Sequence, residues 1–104
     1  MAEAHFSDRG DGRWSLAGEL DFASVPALVG ELQGVTRTGS TLELDLQGVT
    51  RADSAGLALL IEFLRTAGRA GNSVQFVNVP EQLLSIARVS GLDSILSLSS
   101  PATA

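Results

Sequence analysis

The sequence predicts an α/β fold, a mixed sheet of four or five strands with helices packed mainly on one face, and three observations predict it. Thr41-Leu42-Glu43-Leu44-Asp45-Leu46 and Ser73-Val74-Gln75-Phe76-Val77-Asn78-Val79 alternate apolar and polar residues as half-buried strands do. Val25 to Val35 and Ser54 to Ala70 instead repeat apolar residues at helical spacing, so strands and helices take turns along the chain. Finally, Glu43 and Asp45 share one side of a strand whose other side is leucine, which fits a sheet covered on one face and wet on the other.

Taken in order, residues 4–8 form a short first strand, and Asp8-Arg9-Gly10-Asp11-Gly12 is a turn built from residues that tolerate positive φ. Arg13 to Gly18 alternates again, placing Trp14 and Leu16 on one face and completing a hairpin; a lone large aromatic in such a strand is a packing residue rather than a ligand platform. Gly18-Glu19-Leu20-Asp21 reads as a bend. Ser24, followed by Val25 and Pro26, is a capping hydroxyl before a proline in the first helical turn, and the helix runs on to about Arg37 with Val25, Leu28, Val29, Leu32 and Val35 as its buried stripe.

After the leucine strand, Gln47-Gly48-Val49-Thr50 leads into Arg51-Ala52-Asp53-Ser54-Ala55-Gly56-Leu57, a tight loop opening the central helix. That helix ends near Gly71, an exit glycine. At roughly 100° per residue, Leu57, Leu60, Ile61, Leu64 and Ala67 share the core face, and Leu59 and Phe63 fall on a flank beside Glu62 and Thr66. That flank is either covered by the next element or left as an apolar partner surface. Pro80 stops the last strand, Pro80-Glu81 opens a third helix with Gly91 as its exit, and Leu92, Ile95 and Leu96 return to the core. The tail from Ser97 is small and polar and is expected to fray.

The 104 residues fit one domain, 1–104, with its core between about Phe6 and Leu98. A net charge of −5, with seven arginines scattered singly and no lysine, argues against nucleic acid or an anionic membrane surface as a direct partner. There is no cysteine, hence no disulfide or thiolate metal site. The longest apolar run, Ala55 to Ile61, is far shorter than the roughly 20 residues that span a bilayer, and the first eight residues lack the pattern of a secretory signal.

Catalytic chemistry finds little support. The one histidine, His5, is near the start of the chain and poorly placed to activate Ser54, and Asp53 is adjacent to that serine, where helical neighbours do not face each other. Glu19, Asp21 and Asp53 match no known metal-loop spacing, and no phosphate-binding glycine motif is present, so neither a metal nor a cofactor is expected. From spacing alone Ser54 is a capping hydroxyl worth roughly 1 kcal/mol, and Asp53 is the N-cap.

The words Gly18-Glu19-Leu20-Asp21, Leu44-Asp45-Leu46, Asp53-Ser54-Ala55-Gly56-Leu57 and Val89-Ser90-Gly91-Leu92, in this order, resemble the STAS domain family from about Phe6 to Leu98. The resemblance implies a non-catalytic interaction domain. In one branch, the anti-sigma-factor antagonists, a partner serine kinase phosphorylates the residue at the Ser54 position. In another, the small MlaB-like subunits, the domain binds and supports the cytoplasmic ATPase (MlaF-like) of a phospholipid ABC transporter, and through it a permease. That branch serves outer-membrane lipid asymmetry, from a cytoplasmic position peripheral to the inner membrane.

Ala52-Asp53-Ser54-Ala55-Gly56-Leu57-Ala58-Leu59-Leu60 and Leu83-Leu84-Ser85-Ile86-Ala87-Arg88-Val89 are closer to the second branch, which lacks the antagonists' second hydroxyl at the Ala55 position. The expected contact site is Ser54, with Asp53 and Ala55 in its loop, Gly56 allowing close approach by the partner, Leu59 and Phe63 as apolar anchors, and Glu62 and Arg65 at the rim.

Overall fold

The computed structural model describes residues 3–36, 41–94 and 96. Strand β1 (His5–Gly10) turns through Asp11 and Gly12 into β2 (Arg13–Leu20). Helices α1 (Val25–Gly30) and α2 (Leu32–Thr36) lead to β3 (Thr41–Ala52), followed by α3 (Ser54–Arg69), β4 (Ser73–Val77) and α4 (Glu81–Val89). The sheet order is β1-β2-β3-β4, with β1 antiparallel to β2 and the other pairings parallel. The expectation of a mixed sheet is met with four strands among the described residues.

Parallel neighbours need crossovers, and right-handed crossovers place the connecting helices on one side. Here α3 is the middle of that layer, in contact with α1, α2 and α4. The sheet sends Leu16, Leu20, Leu42, Leu44, Leu46 and Phe76 into the buried layer beneath them. Glu43 and Asp45 are half-buried and Gln75 is exposed on the alternate positions, as the charge pattern requires.

Several boundaries differ from the sequence reading, including β1 at His5–Gly10 in place of 4–8 and β4 ending at Val77 in place of Val79. Both β2 and β3 run further than expected: β2 continues through Gly18 to Leu20, and β3 continues through Gln47-Gly48-Val49-Thr50 to Ala52. The reason is two irregularities in their pairing, between Ser15 and Ala17 and between Gly18 and Glu19. Each inserts an extra β3 residue, so the buried side of β3 passes from Leu46 to Val49 to Ala52 and strict alternation is lost while the strand goes on. Gly48 belongs to this junction, because a Cβ there would stand 2.8 Å from the Cβ of Ala17.

The first helix is also interrupted. Glu31 N–H donates to the Leu28 carbonyl at 3.0 Å, an i→i−3 bond where α1 gives way to α2, and Val29 is exposed while Val25, Leu28, Leu32 and Val35 are buried. Ser24 makes no side-chain cap. The expectations placed on Arg37, Ile95 and the tail from Ser97 lie outside the described residues.

Candidate functional site

The C-terminal ends of β2 and β3 and the first turn of α3 form one corner. Leu20 pairs with Ala52, and Asp53 N–H donates to the Leu20 carbonyl at 3.1 Å, so the loop into α3 is tied to the end of β2. Asp53 is the N-cap: its Oδ1 accepts from Ala55 N–H at 2.8 Å, and its carbonyl accepts from Gly56 N–H at 3.0 Å. Ala52 N–H donates to Gln82 Oε1 at 3.0 Å, which clamps the start of α4 to the same corner.

Ser54 is therefore the first residue of α3 and not its cap. It is exposed, and its hydroxyl makes no side-chain hydrogen bond among the described residues. Around the helix at roughly 100° per residue, Ala58 and Arg65 lie on the same outer line. Both are exposed, and Ile61, on its edge, is half-buried. Glu62 is half-buried and its Oε1 accepts from Arg65 Nη1 at 2.9 Å, an ion pair beside this line.

The expected anchors are corrected. Leu59 is 1% and Phe63 0% exposed, both inside the core, and neither can touch a partner of the folded domain. Buried on α3 are Ala55, Gly56, Leu57, Leu59, Leu60, Phe63 and Ala67, while Ile61 and Leu64 are half-buried, so the helix is rotated roughly 80°, at 100° per residue, from the phase inferred from its leucines, although Leu57 stays in the core. Gly56 decides this phase. A Cβ on it would meet the Leu20 Cβ at 3.0 Å and the Ala52 Cβ at 3.3 Å, so this glycine admits the sheet against the helix rather than a partner, and Ala55 beside it is buried too.

Two further groups weighed from the sequence are accounted for. His5 is exposed, with its Nδ1 3.1 Å from the Glu3 carbonyl oxygen. Asp21 Oδ1 accepts from the Ala23 and Ser24 N–H groups, both at 3.0 Å. Among the described residues no group of three or more His, Asp or Glu side chains is placed to hold a metal ion, and no helix is long and apolar enough to cross a membrane. An open groove of about 820 Å³ lies at the far end of α3, lined by Gln33, Thr66 and Arg69 among others, and shares no residue with the Ser54 corner.

One surface residue of this corner drew no notice in the sequence: Phe22, in the turn after β2, is 77% exposed. The only signal was its place, an aromatic directly after Asp21 and outside any apolar repeat.

Fold and corner together define a STAS domain, a class of regulatory and binding modules. The chain belongs to the family described as Mlab, STAS domain, whose model matches residues 6–98. It is similar to the intermembrane phospholipid transport system binding protein MlaB of Haemophilus influenzae (strain ATCC 51907 / DSM 11121 / KW20 / Rd), 35% identical over 82 residues, covering 74% of this chain and 77% of that protein. It is also similar to the anti-sigma-B factor antagonist of Bacillus subtilis (strain 168), 29% identical over 85 residues, covering 82% of this chain and 78% of that one. In fold it resembles the crystal structure of an anti-sigma factor antagonist from Mycobacterium paratuberculosis, with a TM-score of 0.73 at 24% identity, over 99% of this chain and 87% of the other.

Proposed function

We propose that this domain is a non-catalytic subunit that binds and supports the cytoplasmic ATPase of an Mla-type phospholipid ABC transporter, docking through the outer line of α3 that begins at Ser54. It stays in the cytoplasm, reaches the inner membrane only through that ATPase and its permease, and serves outer-membrane lipid asymmetry. The observation that carries the reading is the state of Ser54: exposed, and without a side-chain hydrogen bond among the described residues, at a helix start that Asp53 and the Leu20 carbonyl hold in place. A hydroxyl so placed is free to bond outward, and Ala58 and Ile61 extend it into a strip of small and apolar surface. The likeness to MlaB supplies the partner.

Ser54→Asp puts a carboxylate beside Asp53 on this surface, and Ala58→Glu puts a longer one a turn further on; both positions are exposed, so the fold is kept. Each variant is expected to weaken binding to the purified ATPase subunit by about ten-fold or more, equivalent to about 1.4 kcal/mol, with an unchanged melting temperature. Wild-type affinity in both variants overturns this placement of the interface.

A second reading has its own observation. An exposed serine directly after the motif aspartate is also what a serine kinase needs, and the similarity to the anti-sigma-B factor antagonist points the same way. A phosphate there would add about −1.5 to −2 charges at a helix start that tolerates anions, altering the docking surface without unfolding the domain. Incubation with an anti-sigma-factor serine kinase, followed by intact-mass measurement, separates the two: a phosphate on Ser54 favours the antagonist reading, and an unmodified chain that captures an ABC ATPase favours the first.

A further inference from the structure

Phe22 stands apart from the other described aromatics. It is 77% exposed, whereas Phe63 and Phe76 are buried and Phe6 and Trp14 pack against the core. The turn that displays it is braced on every side. Asp21 Oδ1 accepts the Ala23 and Ser24 N–H groups at 3.0 Å, the Ser24 hydroxyl accepts Asp21 N–H at 3.0 Å and donates to the Glu19 carbonyl at 2.7 Å, and Val25 N–H donates to the Asp21 carbonyl at 3.0 Å. A ring on a fixed backbone, with only two side-chain torsions to order, loses little freedom on binding, and aromatic residues so presented dominate interface energies.

The register places this residue's backbone beside the corner already described. Phe22 is two residues past Leu20 and Ser54 two past Ala52, and Leu20 and Ala52 are paired. In sequence and register the acidic residues nearest Phe22 are Glu19, Asp21 and Asp53, with Arg51 paired in register to Glu19 as the local cation. A second copy of the chain is a poor occupant, because a symmetric contact would set these carboxylates against their own copies in a protein of net charge −5.

We infer that Phe22 is the aromatic anchor of the Ser54 interface, seated in an apolar pocket with a basic rim on the ATPase subunit. This rests on the function proposed above. The test is a binding titration of Phe22→Ala, Ser54→Asp and wild type against the purified ATPase subunit, with melting temperatures and sedimentation of each chain alone. Phe22→Ala is expected to melt as wild type does and to bind about ten-fold more weakly or worse, through faster dissociation. Binding kept by Phe22→Ala but lost by Ser54→Asp overturns the anchor and leaves the functional reading standing. A wild type that does not bind the ATPase overturns that reading and this occupant together. A wild-type dimer that Phe22→Ala dissolves overturns the basic partner in favour of a second copy.

Discussion

At the scale of single residues, the neighbours Asp53 and Ser54 divide two tasks that either could perform from sequence alone. The carboxylate turns back to cap Ala55 N–H, and the hydroxyl is left on the surface. Asp53→Ala is therefore expected to destabilise the domain by about 1 kcal/mol, the usual worth of an N-cap, and to lower the melting temperature by about 4–8 °C. Ser54→Ala removes an exposed hydroxyl with no side-chain hydrogen bond among the described residues, and its melting temperature is expected to stay within about 2 °C of wild type, as a surface change of under roughly 0.5 kcal/mol implies. Thermal unfolding followed by circular dichroism checks both, and equal losses in the two variants would return the capping role to Ser54.

At the scale of elements, α3 shows what patterning conveys and where it fails. Its start at Ser54, its exit at Gly71 (φ 81°) and its place between two strands were all legible, because caps, glycines and changes of period are local signals. Its rotation was not. Leucines and alanines fill two overlapping stripes, Leu57-Leu60-Ile61-Leu64-Ala67 and Gly56-Leu59-Leu60-Phe63-Ala67, and hydrophobicity favours neither.

What chooses is shape. The helix lies against the sheet where Gly56 lets Leu20 and Ala52 in, a tertiary fact visible in sequence only as an unexplained glycine in the first turn. The bulged end of β3 was hidden for a related reason, since each extra residue reverses the alternation that marks a strand. The two glycines of α3 can be set against each other. Gly56→Val forces a branched side chain into Leu20 and is expected to lose about 1–3 kcal/mol. Gly68→Ala meets nothing within 4 Å and is expected to gain about 0.5–1 kcal/mol from helix propensity. Chemical denaturation that ranks the pair the other way would sink the observed phase of the helix.

At the scale of the whole molecule, the correction at Phe63 changes what holds the fold together. Its ring lies 6.1 Å from that of Phe6 on β1 and 6.0 Å from that of Phe76 on β4, so one side chain from α3 reaches aromatic residues on both edge strands of the sheet. Such a residue ties the hairpin at one edge to the parallel strand at the other, and no second aromatic does so among the described residues. Truncation to alanine removes both ring contacts and opens a cavity at the centre, a change that typically loses about 3–5 kcal/mol, against a total stability of about 5–15 kcal/mol for a domain. Phe63→Ala is thus expected to shift the urea midpoint down by about 2 M for an m-value near 2 kcal/mol/M, and Phe63→Leu by clearly less. The distinction bears on function as well, because a variant that unfolds loses its partner for a reason unrelated to the interface. If Phe63→Ala kept the wild-type midpoint and failed only in ATPase binding, Phe63 would have to be a surface anchor after all, and the orientation of α3 on the sheet would be wrong.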